Sequence, residues 1–355
     1  LKKENKLPNP RLGWDVGTAY DLFVSLKVIH FPLAYGLRAS WAAGVRSRIP
    51  MELRETLELF STVIHLPLHW IHALPQPKNG TAVLHQLALI PASERVPLLA
   101  FPPNIPNPYR EILMNATPVK KWSEAEVKFL RETMRVPYHI STNDYIDMLY
   151  KFWTHRDEMG EQLFPAIKAY QDSFFVEEEV RIMPALQFGL SHAQRRAGSL
   201  QVKTLVEELS QGIRFDEFIE IPELILAPSF WSAPFVFFDH VNTHTNMLLF
   251  GSRPDNFALI PGEVIPETLM RGLKALADPT RLRILRTLSE EPQTPTQLAR
   301  SLRLRTPTVV HHLFELRLAG LIQVTISSEG ERMYSPRFEG ILSTQETLEK
   351  FINGV

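Results

Sequence analysis

Arg305, Thr308 and His311 lie close together in the sequence, and each is a hydrogen-bond donor suited to nucleic acid. Arg305 can give two hydrogen bonds to a guanine edge or clamp a phosphate. Thr308 can bond a base edge or a phosphate, and His311 can donate to either. Val310, between them, can cover a thymine methyl. Upstream, Thr294 and Thr296 stand where a helix begins, so their hydroxyls join a positive helix end that favours phosphate. Arg332 can reach a phosphate backbone or a minor groove, although Glu329 and Glu331 beside it oppose this. These residue types describe recognition of double-stranded DNA and supply no nucleophile or paired acid and base.

The flanking sequence predicts the elements that hold them. Asp278-Pro279, Thr294-Pro295 and Thr306-Pro307 each place a capping side chain before a proline, and proline at the first helical position loses no hydrogen bond. Gln297 after Thr294 completes a capping box. Thr306 is therefore expected to be occupied in capping, with its methyl left for a base. Leu282, Leu285 and Leu288 share one helical face, Leu298 and Leu302 a second, and Val309, Leu313 and Leu316 a third. The connection from Leu302 to Thr306 is as tight as a helix-turn-helix requires. Ile322, Val324 and Ile326 alternate with polar residues ahead of the turn Ser327–Gly330 and the return strand Arg332-Met333-Tyr334. On the last helix Val309, Leu313 and Leu316 point inward. Pro307, His311 and Leu318 then point outward, with Thr308 and Val310 beside them. The N-terminal end of such a helix is the part that enters a major groove. Phe314 and Leu318 are expected to lie against another element.

The run LKALADPTRLRILRTL, then TPTQLARSL, then TPTVVHHLFELRLAGLI resembles the winged helix of the ArsR family of bacterial repressors, over Pro266 to Arg337. The resemblance implies a winged helix-turn-helix over residues 262–355 that reads a palindromic operator as a homodimer and releases it on a signal. Thr294, Thr296, Arg305, Thr306, Pro307, Thr308, Val310, His311 and Arg332 are the expected DNA contacts. Relatives often carry serine at the places of Pro307 and Val310, so apolar contact replaces polar reading there. Metal sensing does not carry over, because the chain has no cysteine and the segment after Arg337 has no histidine. The stripe Ile341, Leu348, Ile352 and the helix before Asp278 are candidates for the dimer interface. Docking of the tail on its own chain is the open alternative.

Composition agrees with this reading. The 355 residues carry a net charge of −1, yet the stretch from Arg271 to Arg337 is richer in arginine and lysine than in acids, so a polyanion is attracted to the C-terminal part. The absence of cysteine excludes disulfides, thiolate zinc sites and thiol catalysis, and it fits a cytoplasmic protein. No apolar run is long enough to span a membrane. Residues 1–10 are polar and read as a disordered tail. With Leu1 in place of Met, the N-terminus reads as trimmed.

Residues 11–261 read as a separate α-rich domain with a few short strands, so the fold class is mainly α, α+β in detail, with the winged helix appended. Helices are predicted over 18–30, 34–48, 52–73 (bent or divided at Pro67), 81–89, 123–135, 143–155, 161–175, 177–197 and 200–211. Strands are predicted over 218–227, 235–239 and 247–250, with a proline-rich surface crossing over 101–118 and a linker at 253–262. In general look this part resembles the uncharacterised domain found ahead of an ArsR-like winged helix in some bacterial regulators, which implies no known ligand. The expected role is sensing of a small molecule or partner. An enzyme fused to a DNA-binding module and a pure dimerisation arm are the alternatives. No nucleophile elbow, phosphate loop, dinucleotide fingerprint or HExxH helix is present, so no enzyme and no cofactor is expected. Glu177-Glu178-Glu179 reads as a solvated helix start. His65, His69 and His72, and Asp239, His240 and His244, have spacings compatible with zinc, but ordinary hydrogen bonding is the expectation and no metal site is assigned.

Overall fold

Thr18–His30 is apolar around nearly its whole circumference, and a helix of that kind must lie inside a bundle. In the computed structural model, Tyr20, Leu22, Phe23, Val24, Leu26 and Ile29 of this helix (α1) are all buried, as are Asp21 and Ser25. The structure describes residues 9–102, 109–119, 121–134, 136, 140–215, 217–254, 259–260, 265–327 and 330–353. It divides into two compact units, Gly17–Met183 with Asp239–Thr243, and the described residues up to Val16 with Pro184–Phe238 and His244 onward.

The first unit is helical. After α1 come α2 (Ala39–Arg46), α3 (Met51–Val63), α4 (Leu68–His72), α5 (Gly80–Leu89), α6 (Ala92–Ala100), α7 (Arg110–Met114), α8 (Glu124–Thr133), α9 (Thr142–Thr154) and α10 (Arg156–Tyr170). Pro67 separates α3 from α4 as its missing N–H requires. The segment predicted as one helix over 34–48 instead holds a 3-10 turn at Pro32–Tyr35 and then α2. Helix α6 lies in a stretch between the predicted helix 81–89 and the proline-rich crossing to which the sequence assigned no element. Pro97 lies inside it, and Arg95 steadies it by donating to the carbonyls of Leu87 (3.0 Å), Ile90 (3.1 Å) and Gly160 (2.8 Å). Within the predicted proline-rich crossing, α7 forms a short helix; Pro103, Pro106 and Pro108 lie outside the described residues.

A π-helical turn at Gln171–Phe175 carries α10 directly into α11 (Val176–Ala197), so the Glu177-Glu178-Glu179 run is not a solvated helix start. Glu177 is exposed, but Glu178 is buried and ion-paired with Arg181. Glu179 accepts hydrogen bonds from the Thr18 hydroxyl and, at 2.9 Å, from the Gly80 amide. One carboxylate thus serves the first turns of both α1 and α5, where helix dipoles favour negative charge.

The second unit contains the C-terminal part of α11, from Pro184, then α12 (Val202–Leu209), and begins with β1 (Arg11–Trp14). The strands β2 (Ile213–Phe215), β3 (Glu223–Ser229) and β5 (Thr245–Gly251) follow, while β4 (Phe237–Asn242) is divided between the two units. β1 and β5 flank β3 in parallel, in the registers Arg11↔Glu223 and Glu223↔Thr245. Their runs Leu224–Ala227 and Met247–Phe250 are continuously apolar, as strands buried on both faces must be. The remaining elements are α13 (Glu267–Leu276), α14 (Pro279–Glu290), α15 (Pro295–Leu302), α16 (Thr306–Leu318), β6 (Ile322–Ile326), β7 (Arg332–Pro336) and α17 (Phe338–Asn353). This is the predicted order of a winged helix, and the mainly α, α+β class is the one read from the sequence.

The wing is larger than a hairpin. β6 pairs antiparallel with β7 and parallel with β2, in the register Ile213↔Val324 and Phe215↔Ile326, and Gln293 bridges to Tyr334 on the other edge. Ile322 belongs to a core with Leu285, Leu298, Leu313 and Leu316, while Ile326 lies against a second core built from Val206, Phe215, Leu226 and Leu248. Residues 184–238 therefore share one compact unit with the winged helix, and the segment 11–261 contributes to both units. Much of the linker expected at 253–262 lies outside the described residues, as do residues 1–8 of the expected tail.

Candidate nucleic-acid interface

The helix-turn-helix is assembled by caps. Asp278 opens α14 by accepting from the amides of Thr280 (2.8 Å) and Arg281 (2.9 Å), and those bonds hold its carboxyl below the usual carboxylate range. Thr294 opens α15 with the full capping box: its hydroxyl accepts from the Gln297 amide (3.3 Å), and Gln297 accepts from the Thr294 amide (2.7 Å). Helix α15 ends on Arg303 in the left-handed region (φ 55°), which turns the chain sharply into α16.

The start of α16 corrects the expectation for Thr306. The helix begins one residue earlier than Thr306-Pro307 suggested, so Arg305 is the flanking residue, Thr306 the first helical residue and Pro307 the second. No side chain caps this end. Proline fits either of the first two positions, because neither amide has an intrahelical partner. The Thr306 hydroxyl is thereby released from capping. An anion set against the first turn would meet a helix dipole that no side-chain cap among the described residues already engages.

Beyond that turn, the buried side chains are those expected. Val309, Leu313 and Leu316 lie in the core with Leu285, Leu288, Leu298 and Leu302. Arg305, Thr306, Pro307, Thr308 and His311 are exposed, and Val310 is 40% exposed. Thr296 and Arg332 are exposed and Thr294 is half-buried. The open face covers only the first two turns of α16. Leu318, which the wheel placed outward, is buried, and Phe314 stacks on Phe235 with ring centroids 5.9 Å apart. Both pack against other elements, as expected of them.

Two residues of this surface were not singled out in the sequence. Arg300 near the end of α15 and Arg303 in the turn are exposed, so with Arg305 three exposed arginines stand along the end of α15, the turn and the start of α16. None of the three makes an ion pair among the described residues. The spacing of 300, 303 and 305 was the available signal; only knowledge of the left-handed cap shows that Arg303 reaches the surface at the turn. His312, next to His311, is half-buried, and burial pushes its imidazole below the ordinary value.

The far end of α16 is fixed by Arg317. It is buried and donates to the carbonyl oxygens of Ser210 and Gln211, both at 2.8 Å, and burial lowers it to about 10. The two histidine sets do not assemble. His69 is buried against the Leu98 carbonyl (2.8 Å) while His65 is exposed, and among the described residues no three His, Asp or Glu side chains converge as a metal set. Among the same residues no helix is long and apolar enough to cross a membrane.

Residues 278–324, from the Asp278 cap to the middle of β6, match the family described as bacterial regulatory protein, arsR family. No curated protein and no solved structure matches the chain.

Proposed function

We propose that this chain, a DNA-binding transcription regulator by virtue of its arsR-family helix-turn-helix, is a cytoplasmic repressor that binds a palindromic operator as a homodimer and leaves it when an effector binds. The observation that carries the reading is the open first half of α16. Thr306, Thr308, Val310 and His311 are presented outward at an uncapped helix end beside Arg300, Arg303 and Arg305. In a major groove, Arg305 and His311 reach base edges, Val310 covers a thymine methyl, and Thr294, Thr296, Arg300 and Arg303 hold phosphates. Arg332 on β7 follows the backbone on the wing side.

Two copies are invoked because one winged helix makes too few phosphate contacts for tight binding at physiological salt. Helix α17 supplies a surface for pairing. Its inner side carries Ile341 against the winged-helix core, so the tail does dock on its own chain. On another side Phe338 and Leu342, one turn apart, are exposed, and Phe351 and Ile352 are exposed near the end of the helix. Apolar side chains left open in this way are candidates for the pairing contact.

The test is an anisotropy titration of the full chain against the DNA upstream of its own operon, at two salt concentrations, with an unrelated duplex as control. Specific binding that weakens steeply with salt is the expected result. Equal affinity for both duplexes at low salt would defeat the reading.

A further inference from the structure

Helices α14 and α16 meet in a small charged cluster beside the DNA-reading half of α16. Asp278 caps α14 through Oδ1, and its Oδ2 stands 3.7 Å from the Arg281 guanidinium. Glu315 on α16 faces the same guanidinium at 3.6 Å. Both separations exceed a hydrogen bond, so Arg281 leaves each of these oxygens able to accept one. His312 lies among them. It is half-buried, and its Nδ1 is closed to water with no hydrogen-bond partner among the described residues. A buried ring nitrogen without a partner is costly, and protonation converts both nitrogens of an imidazole to donors. The charged groups that act on His312 are Asp278 and Arg281 at the start of α14, and His311 and Glu315 on α16 itself. Helices α13 and α15 and strand β6 also pack on α16 and add none among the described residues. The surroundings therefore set two carboxylates against one guanidinium, an excess of one acid.

We propose that His312 is a proton switch on DNA binding: taking up a proton from solvent, it pairs with Asp278 and Glu315 and strengthens the hold of α16 on the phosphate backbone. The inference rests on the proposed DNA-binding role of α16. Burial disfavours the imidazolium in the DNA-free chain, and the charges of His311 and Arg281 add to that, while Asp278 and Glu315 oppose it. The group therefore stays neutral until the pH drops below the ordinary histidine value of about 6.5. Operator phosphates brought against exposed His311, whose ring centroid is 5.8 Å from that of His312, add negative charge and favour the imidazolium. DNA thus raises the affinity of His312 for its proton, and by linkage the proton raises the affinity for DNA by the same factor. The gain is complete below the pH at which His312 titrates in the DNA-free chain. It is lost as pH rises through the higher value that holds in the complex.

The experiment is an anisotropy titration of the full chain against the DNA upstream of its own operon, at constant ionic strength, from about pH 8 to about pH 5.5, which spans the histidine range. The parent is expected to bind about threefold or more tightly at the acid end. His312→Gln never titrates. It is expected to remove most of that gain while keeping the affinity at the alkaline end within about twofold. His311→Gln, which removes a proposed base contact, should weaken binding at both ends. A gain undiminished in His312→Gln overturns the switch. Asp278→Asn keeps the cap and removes a charge, so it should move the gain to lower pH, and it serves should His312→Gln fail to fold. A gain that stays at the same pH in Asp278→Asn overturns the role of the cluster. Proton NMR of the DNA-free chain gives a second reading. The histidine signal lost in His312→Gln is expected to titrate below the ordinary value of about 6.5, and lower still in Asp278→Asn. A signal that titrates at the ordinary value overturns the switch. The NMR titration needs no DNA. Absence of operator binding at every pH, which defeats the DNA-binding reading and the switch with it, is therefore told apart from failure of the cluster alone.

Discussion

The guanidinium of Arg317, near the end of α16, donates at 2.8 Å to the carbonyl oxygen of Ser210, which follows α12. With the matching bond to Gln211 and the pairing of β2 on β6, this fastens the 202–215 segment to the winged helix at two places. Replacing Arg317 by methionine keeps much of the volume but strands the buried Ser210 carbonyl and the part-buried Gln211 carbonyl. A cost of about 2–4 kcal/mol is expected, read as a lower midpoint in chemical denaturation. A midpoint within error of the parent would mean that the contact does not hold the segments together.

Thr294 and Thr306 both precede a proline, and they should respond in opposite ways. Thr294 carries a capping box, so Thr294→Ala is expected to lower stability by about 1 kcal/mol. Thr306 caps nothing, so Thr306→Ala should leave the melting temperature alone and change only DNA affinity. Calorimetric melting of the two variants side by side decides the matter; equal destabilisation would restore Thr306 as a cap.

Arg305→Ala and His311→Ala are each expected to cost about 1–3 kcal/mol of operator affinity if they touch bases, with unchanged melting because both are exposed. Arg300→Ala and Arg303→Ala should behave differently. Each should weaken operator and unrelated DNA alike and reduce the salt slope by about one. Operator affinity that is unmoved in all four variants would put the reading surface elsewhere on the molecule.

The exposed apolar pair Phe338 and Leu342 of α17 predicts a solution state. Leu342→Glu places a charge one turn from Phe338, on a different side from the inner contact of Ile341. Sedimentation should change from dimer to monomer while helicity is retained. A parent chain that sediments as a monomer, or a variant that remains dimeric, would move the interface away from α17.

Much of the winged helix was legible because its signals are local. Two cap-proline pairs, one complete capping box and three apolar stripes fix α14 to α16, and each rule acts within a turn or two. The error at Thr306 is of the same local kind, since proline fits both of the first two helical positions and leaves the register open by one residue. Non-local features escaped. Ile213–Phe215 is too short to read as a strand, and its partner β6 lies more than a hundred residues away. No local rule singles out Arg317, and only the fold shows the two carbonyls that it binds.

His30 makes the helical unit sensitive to acid. It is buried, its Nδ1 pairs with the Leu26 carbonyl at 2.8 Å, and Arg46 and Arg54 are the charged groups acting on it. Burial is the main cause that pushes it down to about 4; the Arg46 and Arg54 charges add to the push, while the hydrogen bond to Leu26 opposes it. The unfolded chain binds this proton near the ordinary histidine value of about 6.5. Between those two values the unfolded state holds more protons, so stability rises with pH. The contribution is complete above about 6.5 and lost as pH falls through about 4, to a total of about 3 kcal/mol. His30→Gln keeps a donor for the Leu26 carbonyl and never titrates. Denaturation midpoints measured from pH 7 to pH 4 should therefore fall less steeply in the variant than in the parent. Parallel pH profiles would show that His30 is already protonated in the folded protein or is reached by water.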